Sequence, residues 1–366
     1  MAEQAHSPRP SASPWRQSAL GVALALAVCL PYGSVALLSR SARVTAWLLR
    51  QQAAECQSTN RRCRYDVGFI DPANRLLLDE LPRADYARGG VYFVGSSTVR
   101  DLLLPWRLPP DQRRLIGDYA LSAATHRQQF QFVRYLVEHE GLLEAGGGKT
   151  LVVLGLHCGN ANRERGHFNW YFPKLFERYG LYAYRASEGI RPAPMSRLAR
   201  LLRIERARCQ NFLEFARSRP RLWRRGQPPP PAAQPPDKAL YRDQADGLFE
   251  PGWRQTMAEQ MTELGRLVDY LHARQARVAA VLVPIGSWLR ALPQAEVFHQ
   301  QAEALCKAKA APLLDLSGML ADEEFMDYAH PTWLGQQRTH PVLVALALEH
   351  LRSTGALPQP PAADHR

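Results

Sequence analysis

The chain has 366 residues and is 46% hydrophobic, enough for one large core or two smaller ones. That composition excludes an intrinsically disordered protein and a small disulfide scaffold. The formal net charge is +12 and almost all of it is arginine, since only Lys149, Lys174, Lys238, Lys307 and Lys309 are lysines. No nucleic-acid motif and no basic patch interleaved with aromatics goes with it, so the charge suits an anionic envelope surface or polymer and no nucleic acid.

Residues 1–17 are rich in Pro and Ser and are expected to be disordered. Ser18 to Leu38 contains no charged residue. As a helix it would span about 31 Å, close to the apolar thickness of a bilayer. Pro31 is tolerable in such a helix. A cleaved signal peptide is the competing reading. The stretch is long for one and ends in no clear small-x-small site, and Leu26 to Cys29 departs from a lipoprotein box at Val28. An uncleaved transmembrane anchor over 18–38 is therefore the expectation. Arg9 and Arg16 precede it while Arg40, Arg43 and Arg50 follow, so the positive-inside rule does not orient it.

A juxtamembrane segment over 39–64 follows, with Arg43 to Gln52 reading as a helix. Cys56 and Cys63 flank a polar loop, QSTNRR, and either form a small disulfide in an oxidising compartment or stay as two thiols. An anchor followed by such a pair implies a single pass in the cytoplasmic (inner) membrane, with the remainder facing the periplasm or exterior. Cys29 lies in the apolar stretch. Cys158, Cys209 and Cys306 have no metal-ligand spacing, so neither metal nor cofactor is expected.

The globular domain is expected over 65–355, with a disordered tail over 356–366. Apolar runs suited to buried parallel strands occur at Val91–Val94, Leu151–Leu154, Val278–Val283 and Pro312–Leu316. Helical patterns separate them. In Trp253 to Gln275, the residues Trp253, Met257, Met261, Leu264, Leu267 and Leu271 form one stripe, which is ordinary core packing. A last helix is expected to open near Pro341, because Pro suits a first turn. This alternation predicts an α/β fold, a doubly wound parallel sheet in a flavodoxin-like three-layer sandwich. Arg217 to Lys238 interrupts it with a basic, then proline-rich insertion, RSRPRLWRRGQPPPPAAQPPDK, read as an exposed loop. GGGKT at Gly146 to Thr150 is not a phosphate-binding loop. Position 143 is Leu where that pattern needs Gly, and a strand follows.

Two separated motifs carry the chemistry. Ser97, in VYFVGSSTVR, falls just past an apolar strand, where ligands bind in such sheets. His330, in EEFMDYAHPTWLG, has Asp327 three residues before it. A hydroxyl is a weak nucleophile at neutral pH. It needs a base within hydrogen-bond reach, and the base needs an acid to fix its tautomer. Either motif alone suits a helix cap or a surface histidine. Together they suit a Ser-His-Asp triad.

The order of these blocks resembles the SGNH/GDSL hydrolase superfamily. Gly95, Ser96 and Ser97 match its Gly-Asp-Ser block, which makes Ser97 the nucleophile. Asp327 and His330 match its final Asp-x-x-His, with Gly335 after it. The oxyanion blocks depart from the pattern. In GDYALSAATHRQ, Ala123 stands where the family has Gly. In VVLGLHCGNAN, His157 falls at the Asn position, with Asn160 three residues later. The resemblance implies oxyanion donors from Ser97, Ala123 and either His157 or Asn160. The apolar N-terminus, the GSS block and the Trp after His330 are more similar to the family's envelope branch, DltD-like or of the polysaccharide O-acetylation type. That branch implies an esterase or O-acyltransferase acting on an acylated glycopolymer or glycolipid beside a membrane-bound O-acyltransferase. Gly286 to Leu292 is a further candidate for lining the acyl or acceptor site. The altered middle blocks leave open a second reading, a catalytically silent scaffold that binds such an acyltransferase.

Overall fold

The computed structural model describes residues 33–61, 81–162, 180–185, 189–218, 232, 234 and 236–358. Its strands are β1 (Gly90–Val94), β2 (Ile116–Asp118), β3 (Thr150–Leu156), β4 (Tyr182–Arg185), β5 (Gly189–Pro192), β6 (Arg277–Leu282) and β7 (Leu313–Asp315). Five of them form one parallel sheet in the order β2-β1-β3-β6-β7, and β4 pairs antiparallel with β5 as a separate hairpin. β1 and β3 are buried along their whole length, which is why their sequences run continuously apolar instead of alternating. Val91, Phe93 and Val153 enter one core, and Tyr92, Val94 and Val152 the other.

The principal helices are α1 (Ala42–Thr59), α2 (Ser97–Arg100), α3 (His126–Tyr135), α4 (Arg197–Ser218), α5 (Lys238–Asp246), α6 (Trp253–His272), α7 (Pro293–Ala308) and α8 (Trp333–Ser353). Phe132 of α3, Leu264 of α6 and Phe298 of α7 fill the core on one face of the sheet. Leu343, Ala347 and Leu351 of α8 fill the other. The result is the expected doubly wound, three-layer arrangement. Its chain reverses direction between β1 and β3, the position where such sheets open a crevice at their carboxyl ends.

Several elements differ from the sequence expectation. The last helix opens at Trp333 and carries Pro341 inside it. The true start is set by Thr332, whose hydroxyl accepts the Gly335 N–H, and Pro341 sits on the exposed side, where its ring meets neither core. β2 and the β4–β5 hairpin had no sequence signal. The juxtamembrane helix extends to Thr59 and packs onto the globular part. Cys56 is buried with Leu104 and Trp333, and Asn60 Oδ1 accepts the Leu334 N–H. Cys56 is disulfide-bonded, while Cys63 lies outside the described residues.

Residues 18–32 of the expected anchor also lie outside them, as do the tails 1–17 and 359–366 and most of the insertion at 217–238. Residues 33–40 are helical. Among the described residues no helix is long and apolar enough to cross a membrane.

One packing contact places the turn after β1. Val99 of α2 lies against Gly95 and Gly155, and a Cβ built on Gly155 would come within 1.9 Å of Val99 Cγ2. The two glycines thus form the seat for Val99, two residues after Ser97. Gly155→Ala is expected to destabilise the protein by about 1–3 kcal/mol through overpacking. Val99→Ala vacates that volume, so the double variant should unfold at higher denaturant than additivity of the two single changes predicts. Strict additivity in urea melts would show that Val99 is not the clashing group.

Candidate active site

The strand ends deliver the site. After β1 the backbone is extended at Ser96, which caps α2, and Ser97 becomes the first helical residue. The Ser96 and Thr98 hydroxyls bond each other at 2.9 Å.

The Asp327–His330 turn is built by one carboxylate. Asp327 Oδ1 accepts the backbone N–H groups of Ala329 and His330 at 3.0 and 2.8 Å, and the His330 Nδ1 proton at 2.8 Å. Burial pushes the Asp327 carboxyl up. The hydrogen bond and charge of His330, with the two backbone N–H groups, outweigh it and hold the group below its ordinary range. Met326 N–H donates to the His330 carbonyl, and Phe325 bridges Pro331, closing the loop at its base. Tyr241 of α5 donates its hydroxyl to the Met326 carbonyl at 2.8 Å. Trp288 Nε1 donates to the Tyr328 carbonyl at 2.9 Å. Trp288 is buried and packs on Tyr241 and Phe325. The segment Gly286 to Leu292 therefore supports the loop from behind; the expectation that it lines the pocket is corrected, because Trp288 is drawn into the core by these ring contacts.

His330 Nε2 lies 2.9 Å from Ser97 Oγ. With Nδ1 protonated toward Asp327, Nε2 is the acceptor for the hydroxyl proton. The three residues thus have the connectivity of nucleophile, base and orienting acid.

After β2, Ala123 adopts a left-handed conformation, φ 56°. A Cβ there costs about 1–2 kcal/mol relative to glycine. A partly buried network holds the strained turn. Arg100 pairs with Asp101 at 2.9 Å and also donates to the hydroxyl of Ser122. Arg100 and Ser122 were not singled out in the sequence. The available signal was a charge, RD, inside the apolar run TVRDLLLPW, which a core accepts only as a satisfied pair.

After β3, His157 is buried and its Nδ1 accepts the Gly159 N–H at 3.0 Å. Burial, with His330 and His126 nearby, pushes its pKa down to about 3. At neutral pH the ring is therefore uncharged and carries its proton on Nε2. Among the described residues neither His157 Nε2 nor Asn160 Nδ2 meets an acceptor, although both are buried. Unpaired buried donors cost about 1–3 kcal/mol each. Ser97, Ala123, His157, Asn160, Leu248 and His330 surround one pocket of about 100 Å³. All the expected site residues thus meet there, Asp327 standing behind His330. Asn162 and Leu248 also line it, with Asn162 donating to the Leu248 carbonyl. Leu248 had no signal, because it follows the insertion and has no local motif.

No protein-family model and no curated protein matches the chain. Among solved structures it is similar to the crystal structure of a "putative acylhydrolase" from Bacteroides fragilis NCTC 9343. The identity is 13% and the TM-score 0.37, over 79% of this chain and 100% of that one.

The buried histidines give a pH prediction. Burial is the leading cause that lowers His126, His157 and His340 to about 4, 3 and 4, against an ordinary 6.5. Between those values the unfolded chain binds more protons than the folded one. Stability therefore falls as pH drops from about 6.5 toward 4, by up to about 1.4 kcal/mol per pH unit for each group. Calorimetric melts should show Tm lower by several degrees at pH 5 than at pH 7. An equal or higher Tm at pH 5 would contradict neutral burial of these rings.

Proposed function

We propose that this protein is a serine acyl-transfer enzyme, an esterase or O-acyltransferase, with Ser97 as nucleophile. The observation that carries the reading is the 2.9 Å contact of His330 Nε2 with Ser97 Oγ, with Asp327 on the other ring nitrogen. Ser97 Oγ attacks the acyl carbonyl while its proton passes to His330 Nε2. The bond to the leaving oxygen then breaks as His330 returns that proton to it, leaving an acyl-Ser97 ester. Water or a sugar hydroxyl attacks this ester and loses its proton to His330; the acyl–Oγ bond then breaks as His330 passes that proton to Ser97 Oγ, which restores the hydroxyl and the neutral ring. Asp327 keeps the Nδ1 proton in place and stabilises the charged ring. Ser97 N–H, Ala123 N–H, His157 Nε2–H and Asn160 Nδ2–H are the oxyanion donors. Removing one such donor costs about 10²–10³ in kcat in a studied protease. A neutral His157 donates without competing with His330 for the hydroxyl proton.

The finer reading is a membrane-anchored enzyme of the envelope, DltD-like or of the polysaccharide O-acetylation type, facing the periplasm or exterior. The uncharged stretch over 18–38 supports the anchor. The disulfide at Cys56 supports an oxidising compartment. A 100 Å³ pocket suits a short acyl group. The substrate in this reading is an acylated glycopolymer or glycolipid, and the partner is a membrane-bound O-acyltransferase.

Full-length protein should label with a fluorophosphonate probe. Ser97→Ala should abolish labelling, and Ser96→Ala should keep at least part of it. His330→Ala and Asp327→Asn should each depress turnover of a simple activated ester, by up to about 10⁴-fold by analogy with a serine protease. Ser97→Ala/His330→Ala should be little worse than Ser97→Ala alone. Circular dichroism checks folding throughout. Wild-type labelling by Ser97→Ala, or near-full turnover by folded His330→Ala, would remove the triad and favour the silent scaffold.

A further inference from the structure

The described surface exposes seven large hydrophobic side chains, and five of them belong to two neighbouring elements. Leu37 and Leu38 lie on helix 33–40, and Leu198, Leu201 and Leu202 on the first two turns of α4. Their exposure ranges from 47 to 74%. Single exposed leucines need no explanation, whereas a gathering of them marks a contact surface.

The two elements are tied together. Arg40 Nη2 meets Glu205 Oε1 at 2.6 Å. Leu37 lies one turn before Arg40, and Leu201 and Leu202 lie one turn before Glu205, so both sets of leucines flank the same bridge. Leu198, Leu201 and Leu202 have i, i+3, i+4 spacing and share one stripe of α4. Two to three turns further along α4, Cys209 and Phe212 lie on the same side as the stripe and are buried, with Phe212 against Leu48, Val35, Val44 and Trp47, whereas the three leucines of the first turns stay exposed. Arg200 is engaged with the Tyr182 hydroxyl, and Arg203 with the Gly180 carbonyl.

Cations border the stripe. Arg197, Arg203 and Arg206 are exposed, and the only acid in residues 197–206, Glu205, is matched by Arg40. An apolar stripe edged with arginine suits the headgroup layer of a bilayer. There, leucines reach the acyl boundary while guanidinium groups meet lipid phosphates. The position along the chain agrees, because helix 33–40 continues directly from the uncharged stretch that begins at Ser18.

We propose that the first two turns of α4, together with Leu37 and Leu38, form an interfacial contact seated in the headgroup layer of an anionic phospholipid bilayer. The inference rests in part on the anchor reading, and it adds a second contact that fixes how the globular domain stands on the membrane. From this patch α1 extends about 27 Å toward the Asn60–Leu334 contact beside the triad loop. Leu334, 54% exposed, is therefore an internal control at the far end of that helix.

The test uses full-length protein in vesicles of phosphatidylethanolamine and phosphatidylglycerol, with p-benzoylphenylalanine at position 198, 201 or 334. Fluorophosphonate labelling or a native circular dichroism spectrum confirms that each variant is folded. After irradiation, mass spectrometry should find phospholipid adducts at 198 and 201 and none at 334. Adding Arg197→Gln, Arg203→Gln and Arg206→Gln should lower the adduct yield at 201 several-fold. Vesicle flotation reads the anchor separately. Protein that floats but cross-links at 201 only to a second copy or another protein, or to nothing, overturns the lipid contact and spares the anchor. Protein that does not float overturns both.

Discussion

The carboxylate of Asp327 shapes the loop on which the site depends. Its oxygens accept two backbone N–H groups and the His330 ring proton, all from one short turn. The same bonds that fold the turn therefore fix the imidazole tautomer. Burial works against the negative charge, and the three donors outweigh it. The turn is clamped further by groups distant in sequence. Tyr241 and Trp288 each bond a carbonyl of the loop, and α8 starts immediately after it, where Gly335 passes so close to the Glu324 carbonyl that a Cβ would come within 2.8 Å. Lys238, at the far end of the proline-rich insertion, pairs with Asp322, which also accepts two bonds from Ser287. The insertion thus returns to the domain at the base of the Asp327–His330 loop.

The sheet supplies the opposite half of the site. Parallel strands bring the carboxyl ends of β1, β2 and β3 side by side. Ser97, Ala123 and His157 follow those ends directly or within a few residues. Each position carries a local cost. Ala123 holds a left-handed backbone that glycine would hold without strain, and His157 and Asn160 bury donors that no described residue satisfies. Costs of this kind collect where a structure is built to meet something other than itself. The Arg100–Asp101–Ser122 network shows how they are sustained: a buried ion pair on the helix of Ser97 reaches across to the turn of Ala123.

Buried histidines add a further polar burden. His126 and His157 stay uncharged in the interior because burial disfavours the charged ring. In the proposed reaction His330 becomes positive during turnover. A neutral His157 beside it supplies a donor without adding a second positive charge to the same pocket.

The sequence by itself determined the parts that are local. β1, β3 and β6 were legible because fully buried parallel strands leave unbroken apolar runs. Asp327 and His330 were legible because one turn joins them, and Ser97 because it directly follows a strand. β2 was not legible, since three residues with Gly117 in the middle carry no period, and the strand exists through its pairing with β1. The start of α8 was misread at Pro341 because the cap at Thr332 gains its meaning only from the loop before it. Ala123 and His157 were named through a resemblance. Their donor geometry depends on a backbone angle and on a bond to Gly159 that no residue pattern encodes. Arg100 and Tyr241 act through partners on other elements. Only the tertiary structure decided that Ser97 and His330, 233 residues apart, would meet at 2.9 Å. The physical reason is that the order in which β1 and β7 take their places in the sheet, and the packing of α5 and Trp288 behind the last loop, are properties of the assembled core and not of either segment.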